Sequence, residues 1–327
     1  MLTVAFMVTL NATPTLSEWH TYDQAIMGTT IRVELWHADP RQALEASNQV
    51  FAEMRRIDRL MSPFKTDSEL SAINVSTSKE PVKVSSELFQ LIKTSKRISD
   101  MSGGIFDISF SSVGYLYDYR AGKKPTDLQI KRLVGSINYR AIKLDETNSS
   151  ISLEHGGMKL DLGGIGKGYA VDRSIEILRN LHIQHAIVTA GGDSRVLGDH
   201  RGRDWVVGIQ APRNRSVVAT AIPLTDAAIS TSGDYERFFI EDGVRFHHII
   251  NPKTGDSARL VQSASVIGPE STIADALSTT VFILGVKRGI ELIETLPEYD
   301  VIFIDQHSKL HFSSGLQPAI APDVPAN

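Results

Sequence analysis

Apolar and polar residues alternate with different periods along the 327-residue chain, and each change of period marks a new element. Within residues 24–36, Ile31, Val33 and Leu35 alternate with polar neighbours, as in a half-buried strand. From Pro40 the period lengthens. Leu44, Phe51, Met54, Ile57 and Leu60 or Met61 recur at helical spacing, with Arg55, Arg56, Asp58 and Arg59 between them, which predicts an amphipathic helix with a solvated basic face. That helix stops at Ser62-Pro63, and Ser68 to Ser71 start a new turn. A second helix is predicted over 85–101, with Leu88, Leu91, Ile92, Ser95 and Ile98 on one face and Gly103-Gly104 as its stop.

Residues 115–143 read as a variable connection carrying a short helix over 128–134. Beyond it lie a helix over 169–181, a buried strand over 185–190 that ends in Gly191-Gly192-Asp193, and strands over 205–209 and 217–224. Residues 246–255 end a strand in a turn, and a last helix starts at Ser271 and ends near Gly285. There is no internal repeat and no low-complexity run. The pattern predicts an α+β fold of mixed, largely antiparallel sheets with flanking helices, in one compact unit with two lobes. The boundaries are an apolar segment over 1–20, one domain over 21–315 and a tail over 316–327.

Composition narrows the partners. A net charge of -4 leaves no basic surplus to neutralise phosphates along a nucleic acid, so a small ligand or a protein is expected instead. Cysteine is absent, which excludes disulfides, thiolate metal sites and cysteine nucleophiles. The apolar run over 1–10 resembles the later part of a secretory signal without its basic start, so export to the periplasm is expected, with a cytoplasmic location as the alternative. No run of about 20 apolar residues predicts a stable membrane span.

Residues 160–172, Leu-Asp-Leu-Gly-Gly-Ile-Gly-Lys-Gly-Tyr-Ala-Val-Asp, concentrate glycine, one cation (Lys167) and flanking carboxylates, a cradle for something anionic or else a tight strand-to-helix connection. Neither familiar phosphate motif fits. Asp161 stands where a P-loop needs its first glycine, Gly168 follows Lys167 in place of Ser/Thr, and Gly164-Ile165-Gly166-Lys167-Gly168 is spaced G-x-G-x-G rather than G-x-G-x-x-G. Asp107, just past the Gly103-Gly104 stop, is a turn residue or a ligand contact. His248, beside Ile249 and Ile250, is either a satisfied structural histidine or a proton carrier. Thr272-x-x-Asp275 has the form of a capping box, yet Asp275 and Thr279 also share one helix face, where a carboxylate and a hydroxyl suit a hard cation such as Mg²⁺.

The ordered series Met27-Gly28-Thr29, Asp67-Ser68-Glu69-Leu70-Ser71 with Asn74, Ser102-Gly103-Gly104 leading to Phe106-Asp107, Asp161-Leu162-Gly163-Gly164 with Lys167-Gly168-Tyr169-Ala170-Val171-Asp172, Gly191-Gly192-Asp193, Thr231-Ser232-Gly233-Asp234-Tyr235, His248-Ile249-Ile250 with Pro252 and Thr254-Gly255, and Asp275-Ala276-Leu277-Ser278-Thr279 resembles the ApbE family of FAD:protein FMN transferases. The resemblance implies a Mg²⁺-dependent enzyme that cleaves FAD, attaches FMN through a phosphodiester to a threonine of a target flavoprotein, and releases AMP. It implies that Met27, Phe64 (where the family usually has tyrosine), Phe106 and Asp107 border the flavin or adenine, that Asp161 and Lys167 contact FAD, and that His248 lies beside it. Glu69, Gly104, Gly192, Asp193 and Ser232 fall at motif positions and join the same FAD-binding set by that resemblance. Gly164 through its carbonyl, with Asp275, Ser278 and Thr279, would hold Mg²⁺.

Pyrophosphate cleavage needs its charge neutralised, which Mg²⁺ and Lys167 can supply without a protein nucleophile. His248 or a carboxylate near the metal would take the threonine proton, which makes His248 and Asp275 the catalytic candidates. Gly166 stands where the family usually has alanine, Ile108-Ser109 where proline-threonine is frequent, and Asn251 where aspartate is common, which removes a charge beside His248. Two rival functions use the same residues: a Mg²⁺-dependent FAD pyrophosphatase giving FMN and AMP, and a non-enzymatic flavin-binding module.

Overall fold

A computed structural model describes residues 18–76 and 80–316; the apolar run over 1–10 and most of the expected tail lie outside the described residues. The chain opens with a hairpin, β1 (Glu18–Ile26) and β2 (Thr29–His37), followed by α1 (Pro40–Met61), α2 (Glu69–Val75), β3 (Val82–Lys83), α3 (Ser86–Met101), the short α4 (Ser111–Gly114) and α5 (Asp127–Leu133), β4 (Ile142–Asp145) and β5 (Ser150–Leu153). The second half runs through α6 (Gly166–Asn180), β6 (Ala186–Ala190), β7 (Asp193–Leu197), β8 (Trp205–Ala211), β9 (Asn214–Leu224), β10 (Ala228–Gly233), β11 (Phe238–Glu241), β12 (Val244–His247), β13 (Val261–Gly268), α7 (Ser271–Ile293), β14 (Asp300–Asp305) and β15 (Leu310–Phe312).

One eight-stranded antiparallel sheet, ordered β1-β2-β6-β7-β10-β13-β14-β15, carries the molecule. Its two faces follow from the period of 2 along each strand. Ala186, Val188 and Ala190 of β6 pack into the apolar layer under α1 and α6, whereas Ile187 between them packs on the opposite face. In β14, Val301 and Phe303 meet α7, and Ile302 and Ile304 meet Trp205, Ile209, Ile222 and Leu224 of the β8–β9 hairpin. β13, with α7 against it and in the middle of the sheet, is buried almost throughout, its polar Gln262, Ser263 and Ser265 included.

Most predicted elements stand within a few residues of their expected limits, with three differences. Leu44, placed on the buried stripe of α1, is 46% exposed, because the stripe runs through Ala43, Ala46, Val50, Phe51, Met54 and Ile57. Arg56 is not a solvated bystander: it donates to both Glu53 and Glu87, tying α1 to α3. The helix expected to end near Gly285 resumes after it. Gly285 breaks the helical path with φ 74° and ψ 177°, and the chain stays helical to Ile293.

The N-terminus of α7 explains how the two sequence-distant helices come together. The cap residue Glu270 makes no side-chain cap bond. Instead Asp172 of α6 accepts from the amides of Ser271 (2.9 Å) and Thr272 (2.8 Å) and from the Thr272 hydroxyl, and it also accepts from Arg195 of β7 (2.6 Å). The capping box expected at Thr272 and Asp275 is therefore absent: Asp172 has taken Thr272, and Asp275 points elsewhere. Asp172→Ala should leave orphaned amides and an unpaired, largely buried Arg195, and we expect a loss of about 3 kcal/mol in a urea unfolding titration.

Candidate functional site

One turn further along the same two helices, Asp275 accepts from the Gly168 amide at 3.0 Å. Such an approach demands glycine, because a Cβ at Gly168 would lie 2.2 Å from the Ser271 carbonyl oxygen and 2.8 Å from the Asp275 Cβ. Gly166 N is satisfied by Leu162 O at 2.7 Å, and α6 starts without a side-chain cap. The glycine-rich stretch is thus both the start of α6 and the surface on which α7 is seated.

Lys167 projects from this start toward two buried carboxylates. Its ammonium pairs with Asp193 Oδ2 and stands 3.6 Å from Asp275 Oδ1. Asp193 is 1% exposed and Asp275 3%. Burial acts to lower the Lys167 pKa, but the two carboxylates outweigh it and hold the pKa above its ordinary value. Burial and the neighbouring Asp193 push Asp275 up to about 7. Asp193 Oδ1 is buried and has no hydrogen-bond partner. Gly192 sets this aspartate's turn against β10, since a Cβ there would lie 2.6 Å from Thr231 O.

Hydroxyls complete the cluster. Ser232 at the end of β10 lies 2.8 Å from Ser278 Oγ and 3.1 Å from Thr279 Oγ1, both on α7. The Thr279 hydroxyl stands 3.3 Å from where a Cβ of Gly164 would be, and the Phe106 ring 3.4 Å, so Gly164 is lodged between the helix and the aromatic ring. Drawn from distant parts of the sequence, Asp193 and Asp275 thus face the Lys167 ammonium, and Ser232, Ser278, Thr279 and Gly164 gather one turn further along α7. Among the described residues no three histidine or carboxylate side chains converge as a metal site, so a cation here would rely on hydroxyls and carbonyls beside Asp275.

The remaining candidates frame this group in different ways. Met27 and Gly28 form the two-residue turn of the β1–β2 hairpin with φ of 55° and 71°. That turn favours Asn or Gly, so a methionine in the left-handed region is held there at a backbone cost of roughly 1 kcal/mol or more. Asp161 accepts from Gly163 N at 2.7 Å, and burial raises its pKa. Asn74 pins the preceding residue by exchanging two bonds with the backbone of Leu160.

Other side chains are committed to structure or turned outward. Asp107 accepts from the Ser109 amide and hydroxyl and from the Tyr139 amide, which accounts for its position after the glycine pair as a turn residue. Gly104, with φ 76°, lies against the Tyr139 ring and Lys253. Glu69 accepts from Ser85 N at 2.8 Å, and Phe64 is 82% exposed in the loop before α2. Neither has a hydrogen bond to the oxygen cluster among the described residues.

His248 sits just beyond β12. Burial, then the charges of His247, Arg237 and Lys167, lower its pKa to about 3, so its ring is neutral near pH 7. Its Nδ1 is buried with no partner. Opposite it stands Arg237, which hydropathy and motif spacing had not singled out. The signal was present: Asp242-Gly243 is a strong hairpin turn, and folding β11 onto β12 about it pairs Phe238 with His247 and brings Arg237 opposite His248.

The likeness to known proteins extends over most of the chain. A sequence profile of the ApbE family matches residues 27–303. The chain is 31% identical to the FAD:protein FMN transferase of Treponema pallidum over 90% of this chain and 86% of that protein, and 29% identical to that of Klebsiella pneumoniae over 93% and 94%. Its fold is similar to the crystal structure of the ApbE protein of Thermotoga maritima, with TM-score 0.85 and 30% identity over 92% of this chain and 99% of that one. It is likewise similar to the flavin transferase ApbE of Vibrio cholerae, with TM-score 0.82 and 28% identity over 92% and 99%.

The neutral state of His248 has a consequence for stability. Its folded pKa lies below the ordinary 6.5, so its contribution is complete above pH 6.5 and is lost as pH falls toward 3, at a limiting slope of about 1.4 kcal/mol per pH unit. Unfolding titrations between pH 7 and 4.5 should show a steeper loss for the native chain than for His248→Gln; parallel curves would contradict the assignment.

Proposed function

We propose, from the premise that this chain belongs to the ApbE family, that it is an FAD:protein FMN transferase which moves FMN from FAD to a threonine of a target flavoprotein and releases AMP. The observation that carries the reading is that Lys167 meets Asp193 and Asp275, while Ser278 and Thr279, one turn on from Asp275 along α7, meet Ser232 and Gly164. In the transfer, the threonine oxygen bonds to the phosphorus of the FMN half while that phosphorus releases the bridging oxygen, which leaves with AMP. The threonine proton must be accepted as the new bond forms.

Lys167 is suited to hold charge rather than to move a proton, since its pKa stays above the ordinary lysine value with both carboxylates beside it. It would donate hydrogen bonds to phosphate oxygens. His248 is the candidate proton acceptor: its ring is neutral, its Nδ1 is free of partners, and part of its low pKa comes from Lys167 and Arg237. Phosphate charge in front of those two cations offsets that part and raises His248 toward the range of a working base.

Gly164 through its carbonyl, with Asp275, Ser278 and Thr279, would hold Mg²⁺; the set is all oxygen, as a hard cation requires. Bound there, the ion would neutralise charge that builds on the phosphate oxygens. Phe106, whose ring lies against Gly164, and Met27 would supply apolar walls for the flavin or adenine. An exported, periplasmic location belongs to the same proposal, supported by the apolar run over 1–10.

Incubation of the chain with FAD, Mg²⁺ and an acceptor domain bearing a threonine should add the mass of one FMN to the acceptor and release an equal amount of AMP. Chelation of Mg²⁺ should stop both. AMP without the mass gain would replace transfer by FAD hydrolysis, and intact bound FAD would leave only a flavin-binding module. In the same assay Asp275→Ala should lower turnover by about 100-fold or more while the circular dichroism spectrum is kept, because the cation loses its carboxylate.

A further inference from the structure

The charges of the oxygen cluster do not by themselves favour an anion. Two carboxylates, Asp193 and Asp275, face one ammonium, Lys167, so the inner group carries no positive surplus for an incoming pyrophosphate. Arg237 stands apart from that balance. Among the described residues its guanidinium has no hydrogen bond or ion pair, whereas the neighbouring Arg213, Arg215, Arg245 and Arg259 are each paired with a carboxylate.

Its place is set by the β11–β12 register. Phe238 pairs with His247, and the next step brings Arg237 opposite His248, whose amide donates to the Arg237 carbonyl at 3.1 Å. Directly opposed residues of an antiparallel pair project to the same face, so the guanidinium and the imidazole share one side of the hairpin. The Arg237 Nη2 reaches over the Met27-Gly28 turn, 3.3 Å from where a Cβ of Gly28 would stand. The positive charge of Arg237 is also felt at Asp161 and His248, as that of Lys167 is at His248. Arg237 and Lys167 therefore act on His248 together, one from the hairpin and one from the start of α6.

We propose that Arg237 is a positioning residue that holds a phosphate oxygen of FAD opposite Lys167 and supplies the positive charge the inner cluster lacks. The proposal rests on the FAD-dependent function proposed above. Asp161 lies near enough to feel the charge of Arg237 but makes no ion pair with it, so the planar guanidinium keeps its donors for two parallel bonds to a phosphate, which a lysine cannot reproduce. The bond is made to FAD before and during transfer alike, so it lowers KM rather than raising kcat.

The test compares FAD with riboflavin, which carries the same ring and no phosphate, on the native chain, Arg237→Gln and Arg237→Lys. Losing one charged hydrogen-bond donor should weaken FAD binding by about 10-fold to 100-fold and raise KM equally, with kcat within about twofold and riboflavin binding unchanged. Arg237→Lys should recover part of the loss. Equal FAD affinity in Arg237→Gln, or an equal fall for riboflavin, overturns the phosphate assignment while leaving the transferase reading intact. A native chain that binds no FAD overturns that reading and this residue's role with it. The side chain is exposed and unpaired, so an unchanged melting temperature is expected; a lowered one, with kcat falling as KM rises, would mark a merely structural residue.

Discussion

The close passage of α6 against α7 is the contact on which the rest of the site depends. Hydrogen bonds running both ways clamp the helices: Asp172 of α6 caps the Ser271 and Thr272 amides of α7, and Asp275 of α7 takes the Gly168 amide of α6. Between them the Ser271 carbonyl occupies space that any side chain at position 168 would need. A glycine, two aspartates and an uncapped helix start are thus one device. It brings Asp275, Ser278 and Thr279 to Gly164 and Lys167 with little freedom to drift, as holding a small hard ion requires.

Charge balance follows from the same clamp. Bringing Asp275 beside Asp193 places two carboxylates in a buried space with one lysine, and Asp275 responds with a pKa near neutrality. An anionic substrate would be repelled from such a group without added cations. The proposed Mg²⁺ and Arg237 would answer the same electrostatic need, and His248 feels the charges of both Lys167 and Arg237.

Much of the architecture was legible because hydrophobic period is a local property. Ile31, Val33 and Leu35 announced β2, and Leu88, Leu91, Ile92 and Ile98 announced α3, since each stripe faces the same layer along its whole length. Leu44 misled because a single apolar residue at roughly helical spacing does not say which of two adjacent rows faces the core; the small Ala43 and Ala46 occupy the buried row. Gly285 was read rightly as a break but not as an interruption. Whether a helix resumes past a break depends on the surface that its next turn can pack against, here Phe303 beneath Gly289.

The chain's order of motifs was enough to identify the family and the fold class, because those depend on residue type and spacing. Pairings between distant segments were not in that order. Thr272-x-x-Asp275 read as a local cap, and only the folded chain showed Asp172 taking the cap and releasing Asp275 to the site. Arg237 carried no motif at all; its relation to His248 exists because the Asp242-Gly243 turn fixes a register, and register becomes position only when strands pair. Sequence determined which groups were available, and tertiary structure decided which of them face one another, since hydrogen bonds and charges act across space and not along the chain.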